Sequence, residues 1–199
     1  MSCLTRPLAV AVKLGDRNTV KSRFYLIVLP LALMWIVELI NFSMDHQLIR
    51  WGILPRSLFG LFGIPLGPFI HGSPGHLLSN SIPLVVLGSA ILIEGVRRYI
   101  ILSLLVIFLG GGIVWLMARP SSHVGASGVV FGYFGYLLGR GWYEHSLKNI
   151  VIAIVALVLY GGMLLGLAPT SAEISWEGHF AGFFVGVLGA RMMMSRSDT

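Results

Sequence analysis

The sequence predicts an all-α membrane protein: a six-transmembrane-helix bundle whose fourth helix is short and starts inside the protein. Three observations carry that reading. Of 199 residues, 56% are hydrophobic and only 11% are charged, with a mean hydropathy of +0.85. A soluble domain carries roughly 25% charged residues, so the deficit points to a lipid solvent. Apolar runs also recur at lengths near the ~20 residues that a hydrocarbon core ~30 Å thick demands of a helix. Finally, 25 glycines would weaken soluble helices, yet they suit helices that pack closely in lipid.

Taken in order, residues 1–23 read as a basic, poorly ordered cytoplasmic tail. The first span covers Phe24–Phe42. It is longer than the roughly 7–15 apolar residues of a signal peptide and no small-residue cleavage site follows, so it is expected to remain in the protein. Residues 43–75 form a long outer loop rich in Gly, Pro and aromatics, with Trp51, Phe59, Phe62 and Phe69 suited to the membrane interface. The remaining spans are His76–Glu94, Tyr99–Ala118, Ser127–Gly139, Asn149–Ala168 and His179–Arg191, the fourth and sixth being short. One membrane domain, residues 24–194, is followed by a cytoplasmic tail, 195–199. The lone Cys3 excludes a disulfide framework.

Orientation follows from the cations. With the N-terminus inside, 11 of the 14 Lys and Arg fall on cytoplasmic segments, and Arg50, Arg56 and Arg119 alone fall outside. That bias places both termini in the cytoplasm. It also accounts for the net charge of +6 without a nucleic-acid partner. Small size and the absence of added domains fit a bacterial plasma membrane.

In this topology spans two, four and six run from outside to inside, and their polar residues share one depth. Asn80 lies ~21 Å above Glu94, Ser127 ~20 Å above Arg140 and His179 ~18 Å above Arg191, at ~1.5 Å per residue. All three sit ~10 Å below the outer surface of a ~30 Å core. At ~100° per residue, Ser127 borders a stripe of Gly128, Gly132, Gly135 and Gly139, while His179 borders a stripe of Gly178, Gly182, Gly186 and Gly189. Packing the Gly128 and Gly182–Gly186 faces together makes Ser127 and His179 neighbours. Gly-rich packing explains the stripes by itself, but not a serine and a histidine at their matching ends.

Polar groups at this depth mark a function or a wet cavity. His76 and Asn80, four residues apart, share a helix face and, with Ser81, are expected to hold such a cavity open. A serine becomes nucleophilic when a histidine takes its proton, and the histidine can later protonate the leaving amine. An amide side chain and the N–H groups of a helix start can meet the oxyanion. No Asp or Glu lies at the depth of His179, so a dyad is expected, and Glu38 reads as structural. His76 and Asn80 have no further ligands of suitable type, so neither a metal nor a cofactor is expected. His46, His123 and His145 read as solvated or local hydrogen-bond partners, and Ser121, Ser122 and Ser175 as residues that wet the cavity.

Gly125-Ala126-Ser127-Gly128 opening a short span, His71, His76 and Asn80 opening an earlier one, and Gly178-His179 followed by Gly182 and Gly186 in the last resemble the rhomboid intramembrane serine proteases. The resemblance covers all six spans in order. It implies that Ser127 is the nucleophile and His179 the general base and acid. It further implies that Asn80, His76 and the Ser127 N–H form the oxyanion hole. Phe131, Gly128, Gly182 and Gly186 would support the pair, with span five and Pro169–Glu177 as gate and cap. His71 is expected to brace the loop. Two positions depart from the family pattern. Phe131 stands where better-known members have a tyrosine, and Gly60-Leu61-Phe62-Gly63-Ile64 stands where many have a Trp-Arg pair.

The expected partners are transmembrane protein substrates and the lipid bilayer. A catalytically silent relative that binds membrane proteins is one alternative, disfavoured by the intact Ser127 and His179. A small proton or ion transporter is another, disfavoured because spans two, four and six turn apolar below the polar layer.

Overall fold

A computed structural model describes residues 8–169 and 175–194, with side chains from residue 20 onward. The chain is nearly all helical. Helix α1 spans Leu8–Ser43, and α2 (Gly63–Leu66) is one of several single turns within the loop that follows. Helix α3 spans Pro74–Glu94. Helix α4 (Val96–Leu105) passes through a π-turn, Val106–Gly110, into α5 (Gly111–Met117). Helix α6 spans Ser127–Glu144, α7 spans Leu147–Tyr160 with a 3-10 extension over Gly161–Leu167, and α8 spans Trp176–Met192.

Among the described residues, four segments are long and apolar enough to cross a bilayer: Val20–Ser43, Pro74–Glu94, Val96–Met117 and Leu147–Leu167. The protein is therefore a multi-pass membrane protein. Six spans were expected; the two that fall outside this group are α6 and α8, with 18 and 17 residues. For α6 the surroundings explain the difference, whereas α8 is simply short and still exposes Phe180 and Phe184. Every residue from Val129 to Leu137 is buried, and a helix enclosed on all sides meets protein rather than lipid.

Helices α6 and α8 run parallel and form the most extensive helix–helix packing among the described residues. A methyl group on Gly182 would collide with the Gly128 carbonyl, and one on Gly186 with the Gly132 carbonyl. One on Gly135 would meet the Phe183 carbonyl. The opposite side of α6 accommodates the π-turn, where Val106 lies against Gly132. At the other end of α6, buried Arg140 pairs with Glu94 of α3 and with Glu144, and the Asn149 amide donates to Glu144 at 2.6 Å.

Two expectations about boundaries change. The basic segment before residue 24 is helical from Leu8, with no proline to interrupt it. The fourth span continues a turn beyond Gly139, because Arg140 is neutralised by two carboxylates rather than marking a helix end. Residues 1–7 and 195–199, and residues 170–174 of the expected cap, lie outside the described residues.

The long loop is anchored without the Trp-Arg pair. Ile53 and His123 form an antiparallel bridge with both N–H···O distances at 2.9 Å. Arg56 donates to the carbonyls of Ala118 (2.9 Å) and Leu116 (3.2 Å) at the end of α5, and the Trp115 indole donates to the Ser57 carbonyl at 2.8 Å. Its outer apolar side chains remain exposed, Leu58 at 82% and Phe62 at 62%, as suits a segment lying against lipid.

Candidate active site

Ser127 is the first residue of α6, and the chain turns sharply to reach it. Gly125 has φ 109°, a conformation that strains any residue with a Cβ. A side chain there would also strike the His76 imidazole. The two N–H groups before Ser127 are tied to the long loop: Gly125 donates to the Gly67 carbonyl at 2.9 Å, and Ala126 donates to His71 Nε2 at 3.2 Å. The N–H groups of a helix's first turn have no intrahelical partner, so those beginning at Ser127 are oriented toward the same end.

His71 is fully buried, and the Asn41 amide holds its carbonyl at 2.8 Å. Accepting the Ala126 N–H requires a lone pair on Nε2 and hence a neutral ring. Burial, followed by the neighbouring His76, holds its pKa down at about 4. The loop-bracing reading of His71 thus has a defined contact.

His179 lies in the first turn of α8, four residues after its cap, Ser175, which accepts the Gly178 N–H. Its Nε2 is 2.9 Å from Ser127 Oγ, and its Nδ1 is 3.0 Å from the Gly166 carbonyl oxygen. Phe131, one turn along α6 from Ser127, stacks on the His179 ring with centroids 4.1 Å apart and planes within 8°. The phenyl ring alone therefore supplies the face on which the imidazole rests. Because a carbonyl only accepts, Nδ1 carries the proton, and Nε2 accepts the Ser127 hydroxyl.

His76, Asn80, Ser127, Phe131 and His179 line one cavity of about 780 Å³. The Asn80 amide nitrogen is buried among them and has no protein hydrogen-bond partner. A buried donor left in that state beside a cavity is poised for something that enters it. Ser81, by contrast, does not face the cavity: its hydroxyl donates back to the Leu77 carbonyl at 2.8 Å, and Ser79 lines the wall instead. Glu38 pairs with His46 at 3.3 Å. Gly182 and Gly186 sit behind the pair on the α6–α8 seam, whereas a methyl group on Gly128 would stay 3.4 Å from the Gly178 carbonyl, an ordinary contact.

Two contacts had no sequence signal. The Gly166 carbonyl arrives from the far end of α7 and involves no side chain. His123, buried by its surroundings, accepts the Ser175 hydroxyl at 2.6 Å through Nδ1 and donates to the Arg119 carbonyl at 3.1 Å through Nε2. Burial also lowers its pKa. With the Arg119–Glu177 ion pair (3.4 Å), this contact fastens the loop before α6 to the start of α8 and so helps to fix the spacing of Ser127 and His179.

Comparison with known proteins gives the same direction. The model of the rhomboid domain matches residues 58–196. An uncharacterized protein of Mycobacterium tuberculosis is 36% identical over 171 residues, covering 81% of this chain and 71% of that protein. One of Mycobacterium leprae is 36% identical over 172 residues, covering 82% and 68%. RHOMBOID-like protein 4 of Arabidopsis thaliana is 33% identical over 123 residues, 59% of this chain and 31% of its own length. On the strength of that domain match and these relatives, the chain belongs to the rhomboid family.

Proposed function

We propose that this protein is an intramembrane serine endopeptidase that cleaves other membrane proteins in or near their transmembrane segments, using Ser127 and His179 as a dyad. The observation that carries the reading is the 2.9 Å contact between Ser127 Oγ and His179 Nε2 at the wall of a polar cavity. Residues 24–194 act as one membrane domain crossing the bilayer six times. Both flanks, 1–23 and 195–199, lie in the cytoplasm of a bacterium, in keeping with the distribution of Lys and Arg.

Catalysis then follows from the contacts. Ser127 gives its proton to Nε2 as Oγ attacks a substrate carbonyl, and the oxygen of that carbonyl becomes anionic. The unpartnered Asn80 amide, the His76 imidazole and the Ser127 N–H are the donors that meet it. His179 returns the proton to the leaving amine. Water then hydrolyses the acyl-enzyme with the same imidazole as base. Phe131 limits the tilt of the ring throughout.

The test is cleavage in reconstituted bilayers of a labelled single-span substrate. Wild type is expected to cut it, and Ser127→Ala and His179→Ala are each expected to abolish the cut. Cleavage surviving either substitution removes the dyad. A wild type that cuts no substrate in a panel of single-span proteins supports the catalytically silent alternative.

A further inference from the structure

Which nitrogen of His179 carries its proton decides whether Ser127 can be deprotonated. Nδ1 faces the Gly166 carbonyl at 3.0 Å, while Nε2 faces Ser127 at 2.9 Å. The opposite tautomer would aim an N–H at the serine and a lone pair at the carbonyl, and Nε2 could accept nothing. Among the described residues no carboxylate is hydrogen-bonded to His179, so the task a triad gives to an aspartate falls here to a backbone oxygen. Close approach is possible because position 166 is glycine: a methyl group there would come within 3.1 Å of Phe131 and 3.2 Å of His179 Nδ1.

Among the described residues, the segment carrying this carbonyl is packed more tightly at one end than at the other, where Tyr160 and Met163 are only partly buried against the core. At the end beside Glu144, the Asn149 amide is bonded at 2.6 Å, and Gly141 is so close to α7 that a methyl group would collide with Ala153. Toward the other end Ala156 is the last buried residue, and the 3-10 segment Gly161–Leu167 contains none. Val158 is 78% exposed and Leu165 is 75% exposed. The Gly166–His179 hydrogen bond is thus a tether between a loosely packed arm and the site.

We propose that the Gly166 carbonyl is the positioning group that holds His179 in its competent tautomer, and that the base is set only while the outer end of α7 is seated against it. The inference rests on the proteolytic reading above. A transmembrane substrate that displaces this end of α7 on entry would meet an unset base, and cleavage would follow once the arm returns.

The test replaces the Leu167 amide by an ester, through incorporation of the α-hydroxy analogue of leucine, which weakens the Gly166 carbonyl as an acceptor without altering a side chain. The same change at Ala168, weakening the Leu167 carbonyl, is the control. In wild type, ¹⁵N NMR of labelled histidine, assigned by difference with His179→Ala, should show Nδ1 protonated and Nε2 bare. The Leu167 ester should populate both tautomers and lower kcat by about tenfold with KM nearly unchanged, while the control stays near wild type. An Nε2-protonated His179 in wild type overturns the proposal, even if the ester protein fails to assemble. So does a Leu167 ester with wild-type tautomer and kcat, or a control ester with an equal effect. The tautomer is read without substrate, so a protein that cleaved nothing would sink the proteolytic reading separately.

Discussion

At the scale of single residues, the site depends on donors and acceptors whose partners are limited. Asn80 presents a buried amide nitrogen with no protein acceptor, and removing an oxyanion donor of that kind costs roughly 10²–10³ in kcat. Asn80→Ala should show that loss in the reconstituted cleavage assay, and an unchanged kcat would remove it from the role. Phe131→Leu keeps an apolar neighbour but loses the stack on His179, so kcat should fall by roughly 3–10-fold, the worth of one aromatic pair. His71 sets a pH limit on stability. Its folded pKa is about 4 against an ordinary 6.5, so between those values the unfolded chain holds a proton that the folded one lacks. Stability is therefore complete above about pH 6.5 and falls as acid is added through that window, by about 3 kcal/mol in all. Thermal unfolding followed from pH 7 to pH 4 should show the loss, and His71→Gln should flatten it. Ser127, His179, His76 and Asn80 stand out in the sequence because polar residues in hydrocarbon are rare. The Gly166 carbonyl does not, since every residue has one and only the fold selects which one approaches an imidazole.

At the scale of helices, the α6–α8 seam explains why small residues recur at fourth positions. The collisions a methyl group would meet at Gly182 and Gly186 are with backbone atoms, which cannot rotate away. Gly186→Ala should therefore destabilise the fold by about 1–3 kcal/mol, as overpacking of a filled contact does. Gly128→Ala, with an ordinary contact at 3.4 Å, should leave stability within about 0.5 kcal/mol of wild type. Equal losses at both positions in denaturant titrations would contradict this picture of the seam. The angular pattern of glycines predicted the faces correctly, but it could not tell the crowded member of each pair from the roomy one. The π-turn at Val106–Gly110 was also invisible in sequence, because an apolar run reads alike whether its helix is regular or bulged.

At the scale of the molecule, a polar cavity at one end of α3, α6 and α8 is balanced by a buried ionic cluster at the other end of α6. Arg140 joins Glu94 and Glu144, and Asn149 extends the cluster to α7. Removing the cation leaves buried Glu144 without a cation and buried Glu94 with only the longer contact to Arg98 (3.7 Å), so Arg140→Ala should cost about 3–5 kcal/mol. Adding Glu94→Gln and Glu144→Gln should recover most of it, measured by thermal unfolding in detergent. The sequence supplied Glu94 and Arg140 as separate depth markers. That they touch follows from α3 and α6 being packed in register, which also brings Asn80 and Ser127 level at the far end. The fold was legible where lipid dictates composition, and least so where protein replaces lipid, as around the enclosed α6. The central claim is that His179 activates Ser127, and covalent labelling tests it most directly. A serine-directed fluorophosphonate, followed by peptide mapping, should modify wild type at Ser127 and leave His179→Ala unmodified. Equal labelling of both proteins, or none of either, would contradict the account.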